Sequence, residues 1–259
     1  VGRRPSRASA LMLVHPWDAT EGEAEWRAFV ARQAFGQLVA GGRDRDVPVV
    51  VPTQYVLETD EVLLHLARPN PVWEAIEENP SVLLSVAGDW AYVPAGWKAI
   101  GDEDPAVGIP TTYYAAVQLR CDATVVDDDE GKLAILRRQL GAFEPDSGHA
   151  DPGVHERKLP GIRGLRLAIR EVTGKFKYGG NVDEAHREAI AERLAAHGRH
   201  PGRDDAPPWT AAGLCRRTDG GPVGGGLCRA RVSRARRSSD GDGGLSRLRG
   251  GPAAHSHRG

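Results

Sequence analysis

The chain has 259 residues, with 34 Lys+Arg against 35 Asp+Glu and 40% hydrophobic residues, enough for one or two domains with a real core. No window approaches the roughly 18 consecutive apolar residues of a membrane span, and no apolar signal core opens the chain, so a cytoplasmic location without membrane contact is the expectation. Cys121, Cys215 and Cys228 are too few and too scattered for a disulfide framework or a zinc site.

Residues 1–11 (VGRRPSRASAL) carry no hydrophobic pattern, and Met12 is the only methionine, so residues 1–11 read as a disordered upstream extension with the natural start at Met12. Thr20 and Glu23 form a capping-box pair, and Trp26, Phe29 and Val30 recur at helical spacing, which predicts an amphipathic helix over 20–33. Short aliphatic or β-branched runs at 35–40, 48–57, 61–67 and 82–87 predict four strands, with a short helix over 71–78 and a further extended piece at 90–93. Residues 112–125 alternate strictly, Tyr113, Ala115, Val117, Leu119, Cys121, Ala123 and Val125 against Tyr114, Gln118, Arg120, Asp122 and Thr124, which predicts a long strand with one apolar face. After the acidic run at 127–130, Leu133, Leu136 and Leu140 predict a helix that Gly141 stops. Residues 163–172 read as a seventh strand, with Leu165, Leu167 and Ile169 inward and Arg166 and Arg170 outward. Asn181 and Glu184 predict the start of a last helix running to about His197. Short strands at close spacing with peripheral helices predict a mostly β fold, an antiparallel barrel rather than a parallel α/β sheet.

Residues 198–259 differ in kind, with twelve Arg and no Lys against five Asp and no Glu, fourteen Gly, and no Ile, Phe, Tyr or Met. That leaves the tail at about +7 and residues 1–197 at about −8 of the whole-chain −1. Such a tail has little with which to offset chain entropy and reads as disordered. Its composition is what GC-rich DNA yields in a shifted frame, so a frameshift near 197–205 is expected; resequencing the locus tests it. Nucleic-acid binding through Arg229, Arg231, Arg234, Arg236 and Arg237 is the weaker reading, because Trp209 is the tail's only aromatic for stacking.

Several candidate motifs fail on context. The pairs His197/His200 and His255/His257 lack an acidic or Cys partner for a metal. The segment GGPVGGG (220–226) has neither a preceding strand nor a Lys, and no GxSxG elbow occurs. Cys121, on an apolar strand face, reads as a small core residue.

Three segments exceed what packing requires. His65, Arg68 and Asn70 cluster in LHLARPN (64–70), and Trp90, Tyr92 and Trp97 gather around a turn in GDWAYVPAGW (88–97). In TGKFKYGGN (173–181), Lys175 and Lys177 share a strand face before a Gly-Gly turn. Lysines beside free backbone N–H groups suit a phosphate, and flat aromatics suit a planar ring. Taken one at a time, each also fits a solvated strand face, a packed loop or a satisfied barrel histidine.

The order and spacing of MLVHPW (12–17), HLARPNP (65–71), GDWAYVPAGW (88–97), IPTTYYAAV (109–117) and GLRLAIREVTGKFKYGGN (164–181) resemble the PaiB-type FMN-binding split-barrel family of negative transcriptional regulators, over residues 12–197. The resemblance implies a six-stranded split barrel with helical additions and a homodimer with FMN at the subunit interface. His65, Arg68, Asn70, Tyr92, Trp97, Thr111, Tyr114, Lys175, Lys177 and Asn181 fall in the matching motifs. With a flavin in such a site, the residue types point to Arg68, Lys98 and Lys175 or Lys177 as phosphate partners, Thr111 as a hydroxyl donor, and Tyr92, Trp97 and Tyr114 as ring or ribityl neighbours. Three places depart from the family pattern: Thr112-Tyr113 stands for Trp-Asn, Tyr178-Gly179-Gly180 for Leu-Ser-Gln, and Gln33-Ala34-Phe35 for His-Pro-Phe. A deazaflavin or haem, used by other split barrels, is the alternative cofactor. Asp102, Glu103 and Asp104 would discourage an anion from approaching that loop. No side chain stands out as a general acid or base, which favours binding or electron transfer. A flavin- or deazaflavin-dependent oxidoreductase acting on a small molecule is the alternative function. Direct nucleic-acid binding is not expected, since residues 1–197 are net acidic and show no helix-turn-helix.

Overall fold

The alternation at residues 112–125 becomes the central strand of a single antiparallel sheet in a computed structural model that describes residues 11–147 and 151–197. The strands are β1 (Phe35–Ala40), β2 (Val49–Gln54), β3 (Val56–Leu57), β4 (Glu61–Ala67), β5 (Ser81–Val93), β6 (Thr111–Val126) and β7 (Ile162–Lys177). The helices are α1 (Glu23–Gln33), α2 (Val72–Glu78), α3 (Asp129–Phe143) and α4 (Glu184–His197). Tyr113, Ala115, Val117, Leu119, Cys121 and Ala123 of β6 are all buried, as the period of two demands. Burial pushes the Cys121 thiol up to about 12, so it is an inert core residue.

The strand order is β2-β1-β5-β6-β7-β4-β3, with every pairing antiparallel. β2 and β3 stand at opposite edges of that order, yet only Tyr55 separates them in the chain. One extended segment, Val49–Leu57, therefore supplies both edges, and the sheet must curl until its ends meet. Counted as one kinked strand, that segment gives a six-stranded half-barrel of the split-barrel type with peripheral helices. The kink is anchored by Tyr55, 1% exposed, whose Oη donates to Val30 O at 2.8 Å and whose N–H donates to Ala34 O at 3.1 Å. Tyr55→Phe is expected to cost only about 1 kcal/mol, a fall of roughly 2–4 °C in a thermal melt. The loss stays small because Val30 O still accepts from Ala34 N–H at 3.2 Å.

α1 lays Trp26, Phe29 and Val30 against Leu38, Val86 and the rest of the barrel core, and α2 adds Val72, Trp73 and Ile76. The expected capping box is absent: the helix begins at Glu23 without a side-chain cap at Gly22, and Glu25 instead accepts from the Glu21 N–H at 2.7 Å. α1 ends at Ala34 with φ 47°, which a proline ring fixed near −65° cannot adopt, so the family's His-Pro-Phe corner is built differently here.

Other expectations shift in detail. The runs at 82–87 and 90–93 form one strand, β5, interrupted by an irregularity between Ala87 and Trp90 where Phe29 lies against Gly88. β7 continues through Lys177 rather than ending at 172. Gly141 does not stop α3, and its buried residues are Lys132, Ile135 and Gln139, with Leu133, Leu136 and Leu140 only half-buried. Lys132 reaches Asp129 at 2.8 Å and donates to Leu159 O at 3.2 Å, which offsets the burial of its charge. Asp183, not Asn181, caps α4, its Oδ1 accepting from the His186 N–H at 3.1 Å, and Asn181 is exposed. The pairs involving His200, His255 and His257, and the GGPVGGG segment, lie outside the described residues. Among the described residues no group of His, Cys, Asp and Glu could hold a metal ion, and no helix is long and apolar enough to cross a membrane.

Candidate functional site

In an antiparallel ladder, directly opposed residues project to the same face. Trp90 of β5 pairs with Tyr114 of β6, which pairs with Lys177 of β7; Tyr92 pairs with Thr112, and Ala116 with Lys175. Their neighbours Ala115 and Val117 are buried in the barrel core and Tyr113 in a small cluster under α4, so this set occupies the opposite, outer face at one end of the sheet. Trp90 and Tyr92 are 50% and 52% exposed, an aromatic surface bordered by the two lysines.

The two lysines are not equivalent. Lys175 is 9% exposed, its Nζ donates to Leu13 O at 2.9 Å, and it lies 5.7 Å from the centre of the Tyr114 ring. It is held there partly by the segment before α1, where Ala19 bridges to it. Lys177 Nζ donates to Thr111 Oγ1 at 2.8 Å. Because Thr111 accepts that bond, its own proton is left to donate outward. Lys98 follows from the turn Ala95–Lys98 after β5; burial, and then the charge of Lys177, lower its pKa from the ordinary lysine value. Among the described residues no carboxylate lies within 4.0 Å of Lys98, Lys175 or Lys177.

α4 packs behind this end of the sheet, on the face opposite Tyr92 and Tyr114, where Ile190 meets Val93 and Tyr113. Trp97 packs against the small cluster of Val93, Tyr113 and Ile190, so it is a half-buried wall rather than part of the exposed aromatic surface. Arg193 Nη1 donates to Trp97 O and to Ala99 O, the latter at 2.9 Å. The acidic loop is committed to local contacts: Glu103 accepts from the Ile100 N–H at 3.0 Å and from His186 Nε2 at 3.0 Å, and Asp104 from the Ala106 N–H at 2.9 Å. His186 also meets Asp183 at 2.7 Å through Nδ1, and Asp183 first, then Glu103, raise its pKa above the ordinary histidine value. A raised folded value means this stability is full below the unfolded pKa of about 6.5 and is lost as pH rises through the folded value. His186→Gln is therefore expected to lower the melting temperature more at about pH 6 than at about pH 9. An equal loss at both would show that the charge of His186 does not matter.

The HLARPN corner lies elsewhere. His65 pairs with Gly164 at the far end of β7, thirteen residues from Lys177, or about 40 Å of strand at roughly 3.3 Å per residue. His65 Nδ1 meets Gln139 Oε1 at 2.6 Å, and Asn70 Oδ1 accepts from the Val72 N–H at 3.0 Å at the start of α2. Arg68 forks onto Asp127 and donates from Nε to Pro160 O at 2.7 Å. One chain thus gathers Tyr92, Lys98, Thr111, Tyr114, Lys175 and Lys177, with Trp97 beside them and Asn181 exposed a few residues past Lys177, and does not bring His65, Arg68 or Asn70 to them. Trp90, part of the aromatic cluster read from the sequence, stands on this face beside Tyr92. Arg193 was not expected from sequence; it acts on backbone carbonyls and carries no local signal.

A split half-barrel with an aromatic and cationic outer face belongs to the flavin-binding class of this fold. Residues 12–171 match the family described as "Putative FMN-binding domain", and the chain belongs to that family. FMN is the cofactor that membership assigns. Among solved structures, the flavocytochrome Anf3 from Azotobacter vinelandii is 19% identical, covering 77% of this chain and 92% of that one, with a TM-score of 0.52. The FAD and heme binding protein from Mycobacterium smegmatis is 18% identical, covering 80% of this chain and 94% of that one, with a TM-score of 0.49. Among curated proteins, none matches. The residues present fit FMN: Lys98 and Lys177 are neighbouring cations without a carboxylate within 4.0 Å among the described residues, which suits a phosphate, and the half-exposed Trp90 and Tyr92 suit a planar ring.

Proposed function

We propose that this chain binds FMN on the outer face of β5–β7, as a PaiB-type flavoprotein whose site is completed by a second copy of the chain. The observation that carries this reading is the Lys98–Lys177 pair, two like charges close enough to act on each other, with no acidic partner within 4.0 Å among the described residues. Lys98 and Lys177 hold the phosphate, and Thr111 donates its free proton. Trp90, Tyr92 and Tyr114 orient the ring and exclude water from one of its faces. FMN, when bound, supplies hydride or single-electron transfer. The homodimer reading is supported by the apolar side chains around this face: Leu13 at 72%, Ile109 at 74%, Trp90 at 50% and Tyr92 at 52% exposed. A regulatory role of the PaiB type would run through the bound flavin rather than through direct DNA contact, since residues 1–197 carry about −8.

The test is to titrate FMN into the full chain, following flavin fluorescence, with light scattering on the same sample. One FMN per subunit on a dimer supports the reading. A folded protein that leaves FMN fluorescence unchanged overturns the cofactor site, and saturable binding by a monomer overturns the shared interface.

A further inference from the structure

We propose that Arg193, on α4, is a positioning residue for the phosphate end of this site, fixing Lys98 through the backbone on either side of it. The proposal rests on the FMN reading above. Arg193 Nη1 donates to Trp97 O and to Ala99 O, the carbonyls that bracket Lys98 in the chain. α4 itself is seated by Ile190, fully buried against Val93 and Tyr113, with Leu194 alongside. The guanidinium therefore ties α4 to a short turn whose other support is the segment from Pro105 to Gly108, packed on Ala95 and Gly96.

Lys98 needs such a tie. Its ammonium is partly withdrawn from water and faces the charge of Lys177, and both effects oppose its staying charged in place. A lysine stem with four rotatable bonds relieves such a strain by swinging into solvent if the backbone beneath it is free to move. Clamping the carbonyls before and after Lys98 removes that freedom, so the cation pair is preorganised and the phosphate does not have to assemble it. The salt bridge of His186 with Glu103, 3.0 Å, holds the next loop to the same helix. α4 begins thirteen residues beyond the last residue of the family match, so the match assigns Arg193 no role.

The test uses the full-length chain, with FMN and riboflavin as a pair of probes that differ by the phosphate. Arg193→Met keeps the stem and removes the donors; Arg193→Gln is the second variant if the first does not fold. Each is expected to weaken FMN about 10-fold and riboflavin less than about twofold. In a Lys98→Ala background the same substitution is expected to cost FMN less than about twofold more, because the residue being positioned is gone. An unchanged FMN affinity, equal losses for both probes, or a full loss that persists without Lys98 would each overturn the role; the last would mark Arg193 as acting through its charge alone. If the unmodified chain binds riboflavin as tightly as FMN, the phosphate site itself has failed, whatever the variants do.

Discussion

Lys177→Ala is expected to weaken FMN binding by about 10- to 100-fold, with riboflavin affinity held within about twofold. A charge-assisted hydrogen bond contributes about 1.5–3 kcal/mol where water is partly excluded, and each 1.4 kcal/mol is a factor of ten. The substitution also strips Thr111 of the donor that now occupies its oxygen at 2.8 Å, freeing that hydroxyl to turn. The pH dependence has a definite sign. Lys98 titrates below the ordinary lysine value, through burial and the nearby Lys177, so FMN affinity falls as pH rises through that lowered value, while riboflavin affinity does not follow it. In Lys177→Ala the alkaline fall moves to higher pH, because one of the two causes has been removed. Fluorescence titrations of both ligands across pH check this, and a parallel loss of both would rule out a phosphate contact at Lys177.

Gly179→Ala is expected to destabilise the fold by about 2–4 kcal/mol, more than a surface turn substitution normally does. Gly179 sits at φ 79°, in the left-handed region, and a Cβ there would overlap Tyr113 Oη and lie 3.0 Å from its Cζ. Burial holds the Tyr113 phenol up to about 12, so it stays neutral in this tight place. Tyr113 and Gly179 are both departures from the family pattern, and the packing joins them: the larger residue on β6 occupies the space that a side chain after β7 would fill. Tyr113→Phe removes the oxygen that is struck first, so Gly179→Ala should cost less in that background. Denaturant melts of the two single variants and the double variant measure the coupling, and strictly additive costs would mean that backbone strain alone accounts for the effect.

The parts of the fold legible in the sequence were those governed by a local period. β6 was read because Tyr113 to Ala123 alternate over many residues, and α1 because Trp26, Phe29 and Val30 fall on one helical face. What was misread depended on distant packing. The leucines of α3 suggested its buried side, but Leu159 O and Asp129 receive Lys132 there, so a charged residue lies inward and the leucines stay half-exposed. The run at 48–57 looked like one strand, and nothing local to Tyr55 says that its two halves join opposite edges. The same holds for the candidate site. The types of residue that suit a phosphate and a ring could be seen, yet it takes the β6–β7 register to set Tyr114 beside Lys177, a hydrogen bond to join Lys177 to Thr111, and the turn after β5 to bring Lys98 near them. His65, Arg68 and Asn70 looked equally apt until β4 was placed at the other end of β7.

The pairing of β4 with β7 also bears on how the chain is made. Residues 61–67 emerge from the ribosome about a hundred residues before their partner at 162–168. Until then the nascent chain carries two strands, β4 and β6, each with an unmet edge able to recruit another nascent copy. Synthesis stalled or terminated in the stretch between Val126 and Ile162 would release that species, so a premature stop there should yield inclusion bodies rather than a smaller soluble protein.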